Sequence, residues 1–183
     1  MSTASAPAPP APPKPVSVPS LAPAPAPKPE PVRAKGFSSK IVEKFPEVKV
    51  EWMKERRLKV STTTQQIKDL GVFIRDALGF DHISTVSGVD WIAKNQFEVV
   101  YFVGSSAKGQ EDFVMAVSER VPRDAPVAPT LIDVWKGADY PERETHEMFG
   151  IEFQGHPNSS HLYLPEDWNE LPPLRKDYVS PGR

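Results

Sequence analysis

The stretch "HISTVSGVDWIAKNQFEVVYFVGSSAKGQEDFVMAVSE", residues His82 to Glu119, contains three strand-like runs in succession. In "NQFEVVYFVG" the side chains of Phe97, Val99, Tyr101 and Val103 share one face. In "EDFVMAVSE" Phe113, Met115 and Val117 do the same, because successive residues of a strand point to opposite sides. The connectors "AKN" and "SSAKGQ" are too short for a parallel crossover, so the three runs read as an antiparallel meander.

Upstream of the meander, "TTT" at Thr62–Thr64 opens a helix whose stripe of Ile67, Leu70, Ile74 and Leu78 recurs at helical spacing, with Gly79 placed to end it. Before that, "VKVEW" and "LKV" alternate Val48, Val50 and Trp52 against charged residues around the turn "MKERR", the pattern of a hairpin with one buried face. Ser38 is placed to cap a short helix carrying Phe37, Ile41 and Phe45, ended by Pro46. The order helix, hairpin, helix, meander predicts an α+β domain of two layers, with a mostly antiparallel sheet and helices on one face.

On the C-terminal side, Pro122, Pro126 and Pro129 close the meander. A helical segment is expected from Thr130 to Met148, broken near Gly137. Asp139 would cap its second half, Pro141 lie in the first turn, Glu142 complete a capping box, and Gly150 supply the stop. Residues 151–183 show no sustained period, and Pro157, Pro165, Pro172, Pro173 and Pro181 interrupt any long element. A segment this rich in Trp, Tyr, Phe and Leu must bury them on something.

At the other end, residues 1–31 hold 12 of the 22 prolines, seven alanines and three charged groups. With so little apolar surface to bury, the reading is a disordered, semi-extended leader over residues 1–36. Ahead of the domain at 37–150 and an extended tail at 151–183, it contains neither a signal peptide nor a membrane anchor. A net charge of −2 argues against a nucleic-acid partner, and no apolar run approaches the ~20 residues of a membrane span. Zero cysteines exclude disulfides and Cys-ligated clusters or zinc in this chain.

The chemistry is concentrated in "YPERETHEMFGIEFQGHPNSSHLYLPEDW", residues Tyr140 to Trp168. Glu142, Glu144 and Glu147 could serve acid–base catalysis. No activated nucleophile or phosphate loop accompanies them, and acids in a helix's first turns ordinarily complement its dipole. Glu142 and His146, four apart, could meet a metal with His156 or His161, but the second histidine of H-E-x-x-H is missing. A docking surface fits better, with Phe149, Phe153, Tyr163 and Trp168 as apolar anchors and Arg175 as a bidentate partner for a carboxylate.

The residues "ERETHEMFGIEFQGHP", "LPEDW" and "PPLRKDY" closely resemble the signature of the C subunit of respiratory complex I (NADH-quinone oxidoreductase) and its relatives in chloroplast NDH and archaeal F420H2 dehydrogenase complexes. Glu142, Arg143, Glu144, Met148, Phe149, Gly150, Ile151, Phe153, Gly155, His156 and Pro157 fall on the pattern. So do Trp168, Pro173, Leu174, Arg175, Lys176, Asp177 and Tyr178. Glu147 stands where the pattern has Asp, and Ser160 or His161 stands where a basic residue is usual.

The resemblance implies a subunit without catalytic residues, metal or redox cofactor of its own. Its partners would be a hydrogenase-large-subunit-like quinone-site subunit, over which the tail wraps, and neighbouring iron–sulfur subunits. Quinone and clusters would belong to those neighbours. The implied place is peripheral, on the cytoplasmic (or matrix or stromal) face of an energy-converting membrane. The alternative is the equivalent accessory subunit of a membrane-bound [NiFe] hydrogenase. The interface residues implied are Glu142, Arg143, Glu144, Glu147, Phe149, Gly150, Phe153, His156, Pro157, Trp168, Leu174, Arg175, Lys176, Asp177 and Tyr178.

Overall fold

A computed structural model describes residues 32–180, without the side chains of Val32, Arg33 and Trp52. Of the leader expected over residues 1–36, residues 1–31 lie outside the described residues. Helix α1 spans Val32–Lys44 and is followed by the hairpin β1 (Lys49–Lys54) and β2 (Arg57–Thr62). Helix α2 (Ile67–Asp76) leads into the meander of β3 (His82–Trp91), β4 (Gln96–Gly104) and β5 (Val114–Pro122). Strand β6 (Val127–Pro129), helix α3 (Asp139–Phe149) and strand β7 (Glu152–Gln154) complete the elements.

The main sheet has the order β1-β2-β5-β4-β3. The meander is antiparallel as expected, with Tyr101 opposite both Val86 and Val117. Its first turn is made by Asn95 in the left-handed region at φ 51°, a conformation Asn tolerates better than most residues. The hairpin joins the meander through β2, which runs parallel to β5 with Val60 opposite Val117. The intervening residues, including α2, β3 and β4, supply the long connection that a parallel pair needs.

All three helices lie on one sheet face, so the fold is α+β in two layers. That face carries Leu58, Val60, Val86, Phe97, Val99, Tyr101, Val103, Met115 and Val117, all buried. From α2 come Ile67, Leu70 and Ile74, each fully buried and each contributing ~1.5–3 kcal/mol of hydrophobic stabilisation. Phe37 of α1 packs edge-on against Phe80 and Phe113. Val48 and Val50 reach the core, whereas the side chain of Trp52 lies outside the described residues.

The open face carries a polar network. Glu98 accepts from Lys59 Nζ at 2.5 Å and Trp91 Nε1 at 2.8 Å, with Arg120 at 3.7 Å. Burial works to raise its pKa, but Lys59 and Trp91 outweigh that and hold it below the usual carboxylate range.

Several local expectations are corrected. Helix α1 starts at Val32, so Ser38 is interior to it and residues 32–36 belong to the folded unit, with Ala34 fully buried. Helix α2 begins after Gln66 with no side-chain cap, because Thr62–Thr64 form the strand end and a turn instead. Residues 130–135 are not helical. Thr130 N–H donates to Gln154 O of β7 and Leu131 N–H to the Glu142 carboxylate of α3, so the segment is pinned at its start and makes only a single turn, with the Val134 and Trp135 N–H groups on Leu131 O. Asp139 does not cap α3, whose N-cap is Ala138.

Gly88 in β3 sits directly beneath Phe149 of α3, and a Cβ there would lie 2.5 Å from Phe149 Cδ2. The ring is wedged in the core by Phe97 at 6.1 Å and cannot move aside freely. Gly88→Ala should therefore destabilise the domain by ~1–3 kcal/mol in urea unfolding, as overpacking does. An unchanged midpoint would show that Phe149 has room to shift.

Candidate interaction site

The motif-bearing segment starts on α3. Pro141 occupies the first turn, where its missing N–H costs nothing. Gly150 closes the helix at φ 75°, a left-handed conformation suited to Gly, and His146 Nδ1 donates to Ile151 O at 2.9 Å just beyond the end. Strand β7 then pairs parallel with β6, Phe153 opposite Ala128, and the chain turns at Gly155, whose φ is 87°.

Glu142 is fully buried. Its carboxylate accepts from Tyr101 OH at 3.1 Å, from Leu131 N–H at 2.8 Å and from the Thr130 hydroxyl. It thereby joins β4, the segment after β6, and α3. Burial raises its pKa, and these donors oppose the rise. The same burial, with the Glu142 charge, pushes the Tyr101 phenol well up.

Glu147 is buried under the tail and accepts the backbone N–H groups of Leu162, Tyr163 and Leu164. Burial would raise its pKa, but these donors prevail and lower it. The carboxylate therefore fixes the path of the tail. Glu144, in contrast, is exposed. Arg143 donates to Ser160 O and to Ser160 Oγ at 2.7 Å, so Ser160, in a link where the family pattern has a basic residue, accepts a cation instead.

His156 accepts from Asn158 N–H through Nδ1 at 3.1 Å, which puts its proton on Nε2. That nitrogen faces Asp139 Oδ1 at 3.4 Å and Glu142 Oε2 at 3.9 Å. His161 Nδ1 meets Pro165 O at 3.0 Å. Each of the three histidines in this segment thus spends one nitrogen on nearby backbone. Among the described residues no group of three or more His, Asp or Glu could hold a metal ion.

The end of the tail is clamped to the sheet. Buried Asp90 of β3 accepts from Arg123 Nη2 at 2.9 Å and from the backbone N–H of Lys176 at 2.8 Å. Arg123 also pairs with Asp177 Oδ1 at 2.7 Å. The Arg123 and Arg175 guanidinium groups lie 5.2 and 5.4 Å from the Phe97 ring centroid. Leu174 N–H donates to Met148 O at 3.0 Å, and Trp168 packs on Tyr178 with centroids 6.2 Å apart. Pro157 and the side chain of Lys176 are exposed.

Several of the expected interface residues have partners within the chain itself. Phe149 and Phe153 belong to the chain's own core, and Glu142 and Glu147 are occupied internally. Arg175 pairs with Asp177, two residues on, at 3.1 Å. The apolar side chains that the tail leaves exposed are Tyr163 (69%), Leu171 (48%), Leu174 (57%) and Val179 (76%). Asp90 and Arg123 carry the clamp and were not among the expected residues. Nothing in their local sequence distinguishes them from ordinary strand-end and loop charges.

The α+β domain thus carries a long irregular tail folded over itself, with four apolar side chains left exposed along it. Residues 60–183 match the family described as respiratory-chain NADH dehydrogenase, 30 Kd subunit, and the chain belongs to that family. It is 34% identical over 147 residues to the C subunit of F(420)H(2) dehydrogenase from Methanosarcina mazei, covering 79% of this chain and 91% of that one. It is 41% identical over 124 residues to the C subunit of NADH-quinone oxidoreductase from Roseiflexus castenholzii, covering 66% and 68%.

Among solved structures, a chain of the membrane-bound sulfane sulfur reductase (MBS), an archaeal respiratory membrane complex, superposes with a TM-score of 0.71 at 25% identity. That match covers 80% of this chain and 86% of the other. The trypsin-resistant fragment (1–134) of Nqo5 gives 0.58 at 27%, covering 69% and 98%. The chain is thus a subunit of a complex I-type or related respiratory membrane complex. No helix among the described residues is long and apolar enough to cross a membrane.

Proposed function

We propose that this chain is a non-catalytic subunit of a proton-translocating quinone oxidoreductase of the complex I type. It carries no redox cofactor and holds the electron-transfer arm together by packing its tail on the hydrogenase-large-subunit-like, quinone-site neighbour. Its place is peripheral, on the cytoplasmic face, next to subunits that carry iron–sulfur clusters and quinone. The observation that carries this reading is the two-sided tail. Its inner side is fixed by Glu147, Asp90 and Arg123, while Tyr163, Leu171, Leu174 and Val179 are left exposed. Exposed apolar side chains on an ordered frame are what an interface core needs. The absence of cysteine supports the assignment of clusters to neighbours.

The test is the triple variant Leu171→Ser, Leu174→Ser, Val179→Ser in the full complex. These side chains are solvated in the free chain, so its circular dichroism and melting temperature should stay as in the wild type. Co-purification with the large-subunit neighbour should fall by tenfold or more, since each lost interface contact costs ~1 kcal/mol or more. Retention at full strength would place the docking surface elsewhere.

A further inference from the structure

We propose that Glu119 is a proton-binding site built into the core of this domain: it folds in as a neutral carboxylic acid, and its ionisation opens the Thr63–Gln66 turn above it. The proposal goes beyond the assembly role and does not depend on it.

Glu119 lies in β5 opposite Val99 of β4 and Thr62 of β2, on the face that the helices cover. It is 1% exposed, and neither carboxylate oxygen receives a hydrogen bond of full geometry, although the Thr64 side chain is near enough to act as a donor. Its surroundings can be surveyed element by element. From β4 comes the Tyr101 phenol, already donating to Glu142, and from α3 comes the Glu142 carboxylate. The turn before α2 presents Thr64, and β2 presents Thr62. Along β5 its neighbours on the same face are Val117 and Val121.

Lys59 and Arg120 project to the opposite face and pair with Glu98, and Lys49, on the same groove wall, pairs with Glu51. An ionised Glu119 would therefore be a buried charge with an acid and a phenol as its electrostatic company. Burying such a charge costs several kcal/mol, and the group holds its proton instead. Burial pushes its pKa up to about 7, against a contribution from Thr64 and with one from the Glu142 charge.

Two carboxylates on opposite faces of one sheet thus behave oppositely, Glu98 held by its cations and Glu119 set near Glu142, the Tyr101 phenol and apolar side chains. The way out for the proton is short. Glu119 and Thr62–Gln65 border a groove of about 530 Å³ whose wall also carries the charged side chains of Glu47, Lys49, Glu51, Lys59, Glu98 and Arg120. The turn there has no side-chain cap and is held by Gln66 N–H to Thr63 O at 3.1 Å, by the Thr62 hydroxyl to Gln66 Oε1 at 3.4 Å and by Gln66 Nε2 to Glu47 Oε2 at 2.9 Å. When the acid loses its proton to water, hydrating the new carboxylate requires that turn to lift.

The experiment is a pH titration of the full-length chain labelled at the Glu carboxyl carbons, with Glu119→Gln to assign the resonance. Amide exchange is followed in parallel as protection factors. The Glu119 resonance should shift with a midpoint near neutrality. Protection at Gln66 should fall by tenfold or more across that midpoint, while that of Val100 in β4 should hold. Glu119→Gln should abolish the change at Gln66. If that variant does not fold, through-bond assignment in the wild type gives the same titration. A Glu119 carboxyl already fully ionised at pH 5 overturns the proton site. A midpoint near 7 with unchanged Gln66 protection overturns the opening of the turn.

Discussion

Glu142→Ala is expected to remove ~3 kcal/mol or more of the domain's stability. The substitution takes the acceptor from three buried donors at once: the Tyr101 phenol, the Thr130 hydroxyl and the Leu131 amide. Each stranded donor in a dry site costs ~1–3 kcal/mol, and the missing carboxymethylene adds a cavity. Glu142→Gln retains one acceptor oxygen, and the Thr130 hydroxyl can rotate to accept from the new amide, so its loss should be smaller. Urea unfolding of the three proteins makes the comparison. A Glu142→Ala variant within 1 kcal/mol of wild type would mean that water enters and replaces the carboxylate.

Arg123→Met should be comparably severe, and for a different reason. It leaves Asp90 inside the protein with a single remaining donor, the Lys176 amide, and deprives Asp177 of a cation. Breaking one side of a buried ion pair costs ~3–5 kcal/mol, much of it the cost of the orphaned charge. The double variant Asp90→Asn, Arg123→Met should therefore be more stable than Arg123→Met alone. The single variant should also free the tail, so trypsin should cut after Arg175 and Lys176 faster than in the wild type. Equal cleavage rates with full stability would show that Glu147 and Leu174 hold the tail without the clamp.

Acidity should act on the fold in two separate windows. Glu98, Glu147 and Asp177 have lowered pKa values, so the stability they contribute is present above the ordinary carboxylate range and is lost as pH falls through it. Glu119 has the opposite sign. Its contribution is complete below about 4.5 and is lost as pH rises toward 7.

The antiparallel meander could be read from residues 82–119 alone, because alternation has a period of two and the connecting turns are short. The same holds for the α2 stripe and for Gly150 as the end of α3, since each depends on residues only a few positions apart. Glu119 left a trace as well. It continues the apolar row of Met115 and Val117, where an acid breaks the pattern.

The parallel joining of β2 to β5 had no local trace, because pairing between strands distant in sequence leaves no period to detect. The motif residues posed a related problem. Their types and spacing marked a family, but spacing does not say which side of a segment faces its own domain. Phe149 went inward because Gly88 left room for a ring, and Glu142 because Tyr101, Thr130 and Leu131 brought donors to one point. The Asp90–Arg123 clamp exists only once β3, the end of β5 and the tail have converged. A buried charge is tolerated where its partners arrive, and only the folded chain decides where that is.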